Sequence, residues 1–169
     1  LKTKNLILTT GRIVMGEFLE AGKIVAVRGI RGEVKINVFC DSPEFLAESD
    51  TLWLGPQKMP YAIERSFPQK GQLIVKFKDV DFPTADRLVG ISAYIKKDDY
   101  RLEDGVFFIA DLIGLTVKDA DTGEDYGKIK DVIQTGARDV YVINGQKELL
   151  IPAIPDVIID VDIKAGEML

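Results

Sequence analysis

The chain has 169 residues, 46% of them hydrophobic and 29% charged, with a formal net charge of −5 and an isoelectric point near 4.9. This composition excludes a disordered chain or a membrane bundle, and a chain of this length buries roughly two-thirds of its unfolded surface, in one domain or two small ones. Net acidity argues against a protein whose main task is gripping bare nucleic acid and favours a basic partner.

In chain order, Met15 stands directly before Gly16, Glu17 and Phe18 and reads as a natural first residue. Residues 1–14 are then an extension, expected to be poorly ordered; the alternative is an edge strand over residues 5–10. Ile24, Val25 and Val27 lead into a turn punctuated by Gly29 and Gly32, and Val34, Ile36 and Val38 leave it on strict alternation. Arg28, Arg31 and Lys35 project from this bend. Two readings stand for them: contact with RNA phosphates or an acidic partner, or a solvated hairpin end.

Short strands follow over residues 51–54, 61–66, 73–77 and 92–96, separated by turn signals at Gly55-Pro56, Met59-Pro60 and Pro68 to Gly71. Trp53 reads as core. One helix is expected over residues 83–89, with Pro83 in its first turn, Ala85, Leu88 and Val89 on its buried face, and Gly90 as its cap. Such punctuation suggests a barrel or sandwich. Residues 98–105 are the most polar stretch and place a boundary between a domain over 15–97 and another over 106–169.

Val106, Phe107, Phe108 and Ile109 form an apolar run just past this linker. In extended chain, Val106 and Phe108 share one face, Phe107 and Ile109 the other. Either the run anchors one domain on the other or an aromatic ring stays available for a partner. Strands are expected over residues 115–119 and 128–133, then over 140–143 and 147–151 joined by Asn144-Gly145, a strong hairpin signal. Val157, Ile159, Val161 and Ile163 alternate with their neighbours and predict a final strand.

The chain lacks histidine and has a single cysteine, Cys40. No Ser-His-Asp or Cys-His arrangement can be built, and no nitrogen–sulfur metal site. Cys40 has no disulfide partner within the chain, which suits a reducing cytosol. Gly123 to Lys128 is too short for a phosphate loop and joins two strands, and the segment from Asp119 fails as a calcium loop at Gly123 and Lys130. No apolar run approaches the ~20 residues of a membrane helix. The expectation is no catalytic residues, no metal and no cofactor.

Gly22-Lys23-Ile24-Val25 followed by Gly29-Ile30-Arg31-Gly32-Glu33-Val34-Lys35 resembles the N-terminal signature of the RimM family of bacterial ribosome maturation factors. Asp111-Leu112-Ile113-Gly114-Leu115, Gly127-Lys128-Ile129, Thr135-Gly136-Ala137 with Asp139-Val140, and Ile151-Pro152-Ala153-Ile154-Pro155 are similar to its C-terminal half. The resemblance implies an all-β fold of two small barrels: an N-terminal six-stranded barrel of the translation-factor type and a C-terminal PRC barrel. It implies a cytoplasmic, monomeric, non-enzymatic assembly factor. Such a factor binds the free small ribosomal subunit, together with the nineteenth small-subunit protein in the head and local small-subunit rRNA, in support of head maturation and rRNA processing. The family's paired tyrosines for subunit binding match Phe107 and Phe108, which keep the rings without the hydroxyls. Arg28 stands where a histidine is usual and Arg138 where an asparagine is common, and relatives continue past Leu169 through another strand. Phe107 and Phe108 with Arg28, Arg31 and Lys35 are the expected partner-binding residues. Two rival readings are a small enzyme using carboxylates alone, marked by a deep pocket with two acids, and a regulatory PRC-barrel module, marked by a hydrophobic anchor.

Overall fold

Alternation of apolar and polar residues builds the first unit. In the computed structural model, which describes residues 17–40, 42–100, 105–135 and 138–169, strands β1 (Phe18–Arg28), β2 (Glu33–Val38), β3 (Thr51–Leu54), β4 (Met59–Gln69), β5 (Gln72–Phe77) and β6 (Ser92–Lys96) close into an antiparallel barrel in the order β1-β2-β5-β4-β3-β6. Every second side chain points inward: Leu19, Ala21 and Ile24 of β1, Val34 and Ile36 of β2, Leu52 and Leu54 of β3, Leu73, Val75 and Phe77 of β5, and Ala93 and Ile95 of β6 are all buried. Register shifts at Glu20/Gly22, Ile24/Ala26 and Ile63/Arg65 mark bulges, which bend long strands so that the sheet can close. Residues 1–14 and the centre of the polar linker, residues 101–104, lie outside the described residues.

Two short helices accompany the barrel. The first, α1 (Pro43–Ala47), was not expected; its signal is Ser42-Pro43, a capping hydroxyl that accepts from the Phe45 N–H and a proline in the first turn. The second, α2 (Phe82–Arg87), covers most of the expected helix, and Asp81 caps it by accepting from the Thr84 N–H at 2.9 Å. Met59-Pro60, expected as a turn, instead opens β4, with Pro60 opposite Trp53. Proline is tolerated at a strand's start, where its missing N–H costs least. Trp53 is only half-buried, on the outer face of β3, where its ring meets Phe18 edge-on at 5.1 Å; the core positions of β3 are Leu52 and Leu54.

The chain divides into two compact units, the second holding the described residues from 105 onward. Expected as the second barrel, this unit contains α3 (Ile109–Leu112) and a six-stranded sheet in the order β10-β9-β8-β7-β12-β11. Its strands are β7 (Thr116–Lys118), β8 (Asp125–Gln134), β9 (Asp139–Asn144), β10 (Glu148–Pro152), β11 (Val161–Asp162) and β12 (Glu167–Met168). Its core gathers Leu112, Leu115, Val117, Ile129, Val132, Tyr141, Ile143, Ala153 and Met168.

Two expectations fail here. The β9–β10 hairpin is not closed by Asn144-Gly145: Asn144 pairs with Glu148 inside the ladder, leaving residues 145–147 as the loop. Gly145 serves close approach instead, since a Cβ there would lie 2.1 Å from the Tyr126 carbonyl oxygen. The final strand shrinks to β11, because the segment after Pro155 coils into one turn in which the Val157 and Ile158 N–H groups both donate to the Ile154 carbonyl, at 3.0 and 2.9 Å. Alternation over residues 157–163 therefore reflects no continuous ladder.

Candidate partner-binding surfaces

The first surface belongs to the barrel. Gly29 and Gly32, at φ of 63° and 76°, turn the chain from β1 into β2. Ile30, 88% exposed, and Arg31, also exposed, stand at the apex of that turn. The β-sheet register then carries one row of charge across four strands: Arg28 faces Glu33, Glu33 faces Lys76, and Lys76 faces Arg65. In the next outward row Lys35 lies between Ala26 and Ile74, and Phe67 follows.

Glu33 is the one buried charged residue among those described, 8% exposed. A buried carboxylate is costly unless paired. Two arginines share it: Nη1 of Arg28 lies 3.6 Å from Oε2, and Nη2 of Arg65 donates to Oε1. The Arg28 guanidinium carbon also sits 5.3 Å from the centre of the Phe67 ring, within cation–π range. Nζ of Lys76 donates to the carbonyls of Phe77, at 3.2 Å, and Val80. The register thus brings Arg28 and Lys35 to one face, leaves Arg31 exposed at the apex of the adjoining turn, and adds two cations, Arg65 and Lys76, that sequence reasoning missed. Neither carries a local signal; each lies more than 30 residues from the turn, and only strand register delivers it.

The second surface belongs to the C-terminal unit. Phe107 lines a cleft of about 180 Å³ with Ile154, Pro155, Ile158, Ile159 and Val161. The turn after Pro155 and an N–H of Ile159 that donates to the Leu169 carbonyl at 2.8 Å hold this apolar wall in place. Asp160 is the single carboxylate lining the cleft; the pocket with two acids that would mark a carboxylate enzyme is not formed there. Asp156 and Asp162 are exposed close by in sequence. Phe108 and Val106 are buried, 4% and 7% exposed, while Phe107 is half-buried, so the two adjacent rings differ in accessibility. Residues 105–169 hold 12 acidic and 6 basic side chains, a net of −6, whereas residues 17–100 hold 13 and 12, a net of −1.

Beside the first surface, the hydroxyl and N–H of Thr84 hold the Asp81 carboxyl below the usual carboxylate range. Burial, with Asp139 nearby, pushes the Tyr141 hydroxyl up to about 12. Asp119 is held below the usual carboxylate range by the N–H and hydroxyl of Thr122 and the hydroxyl of Tyr126. Among the described residues, no group of three or more cysteine, aspartate and glutamate side chains is placed to hold a metal ion, and no helix is long and apolar enough to cross a membrane.

These features define a two-domain all-β protein whose exposed chemistry is a cationic face on one unit and an apolar cleft with one carboxylate in its lining on the other. Residues 19–100 match the RimM N-terminal domain and residues 109–169 the RimM PRC barrel domain. The chain belongs to the RimM family. It is similar to the ribosome maturation factor RimM of Desulforamulus reducens, 35% identical over 158 residues that cover 90% of this chain and 93% of that protein. It is likewise similar to that of Caldanaerobacter subterraneus subsp. tengcongensis, 34% identical over 92% of this chain and 96% of that protein. A solved structure of a 16S ribosomal RNA processing protein RimM from Pseudomonas aeruginosa matches 89% of this chain and 94% of its own at 28% identity, with a TM-score of 0.48.

Proposed function

We propose that this chain is a ribosome maturation factor that supports 16S rRNA processing by binding, without catalysis. The observation that carries this reading is its likeness along most of its length to proteins named ribosome maturation factor. The two surfaces give that role a physical form. In this reading the units over residues 15–97 and 106–169 are separate contact modules joined by residues 98–105. The protein works as a monomer in the cytoplasm, on the free small ribosomal subunit. The apolar cleft around Phe107, with Asp160 in its lining, receives an apolar segment of a basic protein, the nineteenth protein of the subunit head, while Arg28, Arg31 and Lys35 meet rRNA phosphates. Phe107 supplies the contact ring and Phe108 supports it from the buried side.

Co-sedimentation with free small subunits tests this. Phe107→Ala is expected to weaken binding about 30-fold, the size of an aromatic hot spot of ~2 kcal/mol. Phe108→Ala is expected to lower thermal stability as well. Wild-type co-sedimentation of Phe107→Ala would remove the ring from the contact. For the turn, Arg31→Glu is expected to weaken binding more at low salt than at high salt, since exposed charges are screened; equal loss at both would argue against an ionic contact.

A further inference from the structure

We infer that Glu33 is a positioning residue that holds Arg28 and Arg65 together as a fork for RNA phosphate, and that Arg65 is a contact residue of that site. This rests on the proposed RNA contact of the cationic face and names its ligand chemistry, the phosphodiester backbone.

Geometry comes first. Arg28 on β1 and Arg65 on β4 are three strands apart in the row that runs through Glu33 and Lys76. At the spacing of neighbouring strands, their backbones are about 14 Å apart. Both side chains nevertheless lean to the same carboxylate. A single arginine satisfies a carboxylate bidentately. Here two divide it, so neither guanidinium is used up. Each has five N–H donors. The Arg28 side chain remains 35% exposed and that of Arg65 54%, against 11% for Glu33. The carboxylate is thus buried beneath two arginines that still face solvent.

Charge points the same way. Arg28 and Lys76 flank Glu33 across the strands, Arg65 follows in the same row, Lys35 stands in the next row and Arg31 at the apex of the turn. The neighbouring Asp81 carboxylate is already engaged by the Thr84 N–H. Phe67 lies under the Arg28 guanidinium, 5.3 Å from ring centre to guanidinium carbon, and a ring face takes up none of its N–H donors as a carboxylate would. Pre-organised guanidiniums around an oxyanion suit phosphate, since arginine's planar fork pairs two oxygens at once, whereas a lysine gives only a point charge.

The test measures binding of a fluorescein-labelled 16S rRNA transcript to the full-length chain across a salt series, with Trp53 fluorescence reporting the fold. Arg65→Gln is expected to weaken binding about 5- to 10-fold and to reduce the slope of log affinity against log salt by roughly 0.7 to 0.9. Arg65→Lys, which keeps the charge and loses the fork, is expected to weaken it nearly as much. Glu33→Gln removes a negative charge, so simple Coulomb attraction predicts tighter binding; positioning predicts a loss of about 3-fold or more. Tighter binding by Glu33→Gln, or wild-type binding by Arg65→Lys, overturns the inference, and the lysine variant decides it should Glu33→Gln fail to fold. If Arg31→Gln and Lys35→Gln weaken binding while Arg65→Gln does not, this inference falls and the RNA contact of the turn stands. If none of the three matters, the RNA contact itself falls. Capture of a polyglutamate peptide with the RNA left unbound overturns both.

Discussion

Gly29 and Gly32 bracket the same turn with similar backbone angles, yet they should respond very differently to alanine. Both sit in the left-handed region, at φ of 63° and 76°, where a Cβ costs about 1 kcal/mol. A Cβ on Gly29 meets nothing within 4 Å. On Gly32 it falls 2.7 Å from the Val80 carbonyl oxygen and from the carbonyl carbon and oxygen of Asp81. Those are backbone atoms, and the loop that carries them is pinned by Nζ of Lys76 on the Val80 carbonyl and leads into α2. Relief requires moving the loop, a packing cost of roughly 1–3 kcal/mol on top of the backbone term. Gly29→Ala is therefore expected to cost about 1 kcal/mol and Gly32→Ala about 2–4 kcal/mol. Trp53, the single tryptophan, lies in this barrel and reports its unfolding alone. With a urea slope near ~1.5 kcal/mol per molar for a domain of this size, the midpoint should fall by about 0.7 M for Gly29→Ala and about 1.3–2.7 M for Gly32→Ala. Equal shifts at the two positions would refute the reasoning, because backbone conformation alone would then account for both glycines.

Lys70 occupies the left-handed region at φ of 51° beside Gly71, in a two-residue turn closing Gln69 against Gln72. Lys70→Asn, which suits that turn, is expected to stabilise the barrel by about 0.5–1 kcal/mol, read as a higher urea midpoint with unchanged slope. Tyr141 should stay protonated beyond the ordinary tyrosine range, its hydroxyl being pushed up to about 12. Because its folded value lies above its unfolded value of about 10, its contribution to stability is fully present below pH 10 and is lost as pH rises toward 12. Absorbance titration should show a late ionisation that coincides with unfolding and disappears in Tyr141→Phe; a normal titration of all five tyrosines in the folded protein would contradict it.

Strand positions were legible where alternation met clear punctuation. The third strand, Thr51–Leu54, and the sixth, Ser92–Lys96, fall where the residues placed them, because Leu52 and Leu54, or Ala93 and Ile95, each carry one wall of the core. What escaped is what local sequence does not encode. Asn144-Gly145 has the chemistry of a tight turn, but the ladder runs through Asn144; a two-residue turn with both residues at positive φ forms instead at Lys70-Gly71, inside the turn signal read over Pro68 to Gly71. The alternation over residues 157–163 was real, yet Pro155 and the turn after it withdrew the segment from the sheet. On the candidate surfaces, the turn's three cations could be read directly. Arg65 and Lys76 could not, since their place beside Glu33 depends on strand order β1-β2-β5-β4, a property of barrel closure. The difference between Phe107 and Phe108 is similar: period-two reasoning put them on opposite faces without saying which face stays open.

Whole-molecule charge hides the feature that matters most for partner choice. The acidic excess resides in residues 105–169, with a net of −6, while residues 17–100 are nearly balanced at −1. At physiological salt the screening length is about 8 Å, shorter than either unit, so an approaching partner feels the local surface more than the total. Acidity thus argues for a basic partner only at the second unit, where Asp160 lines the cleft beside Phe107. Within the balanced first unit, the barrel gathers Arg28, Lys35, Arg65 and Lys76 on one outer face, so a net charge near zero coexists with a concentrated cationic surface. An acidic isoelectric point and the proposed RNA contact are then compatible, because the acidic excess and the cationic face belong to different units of the same chain.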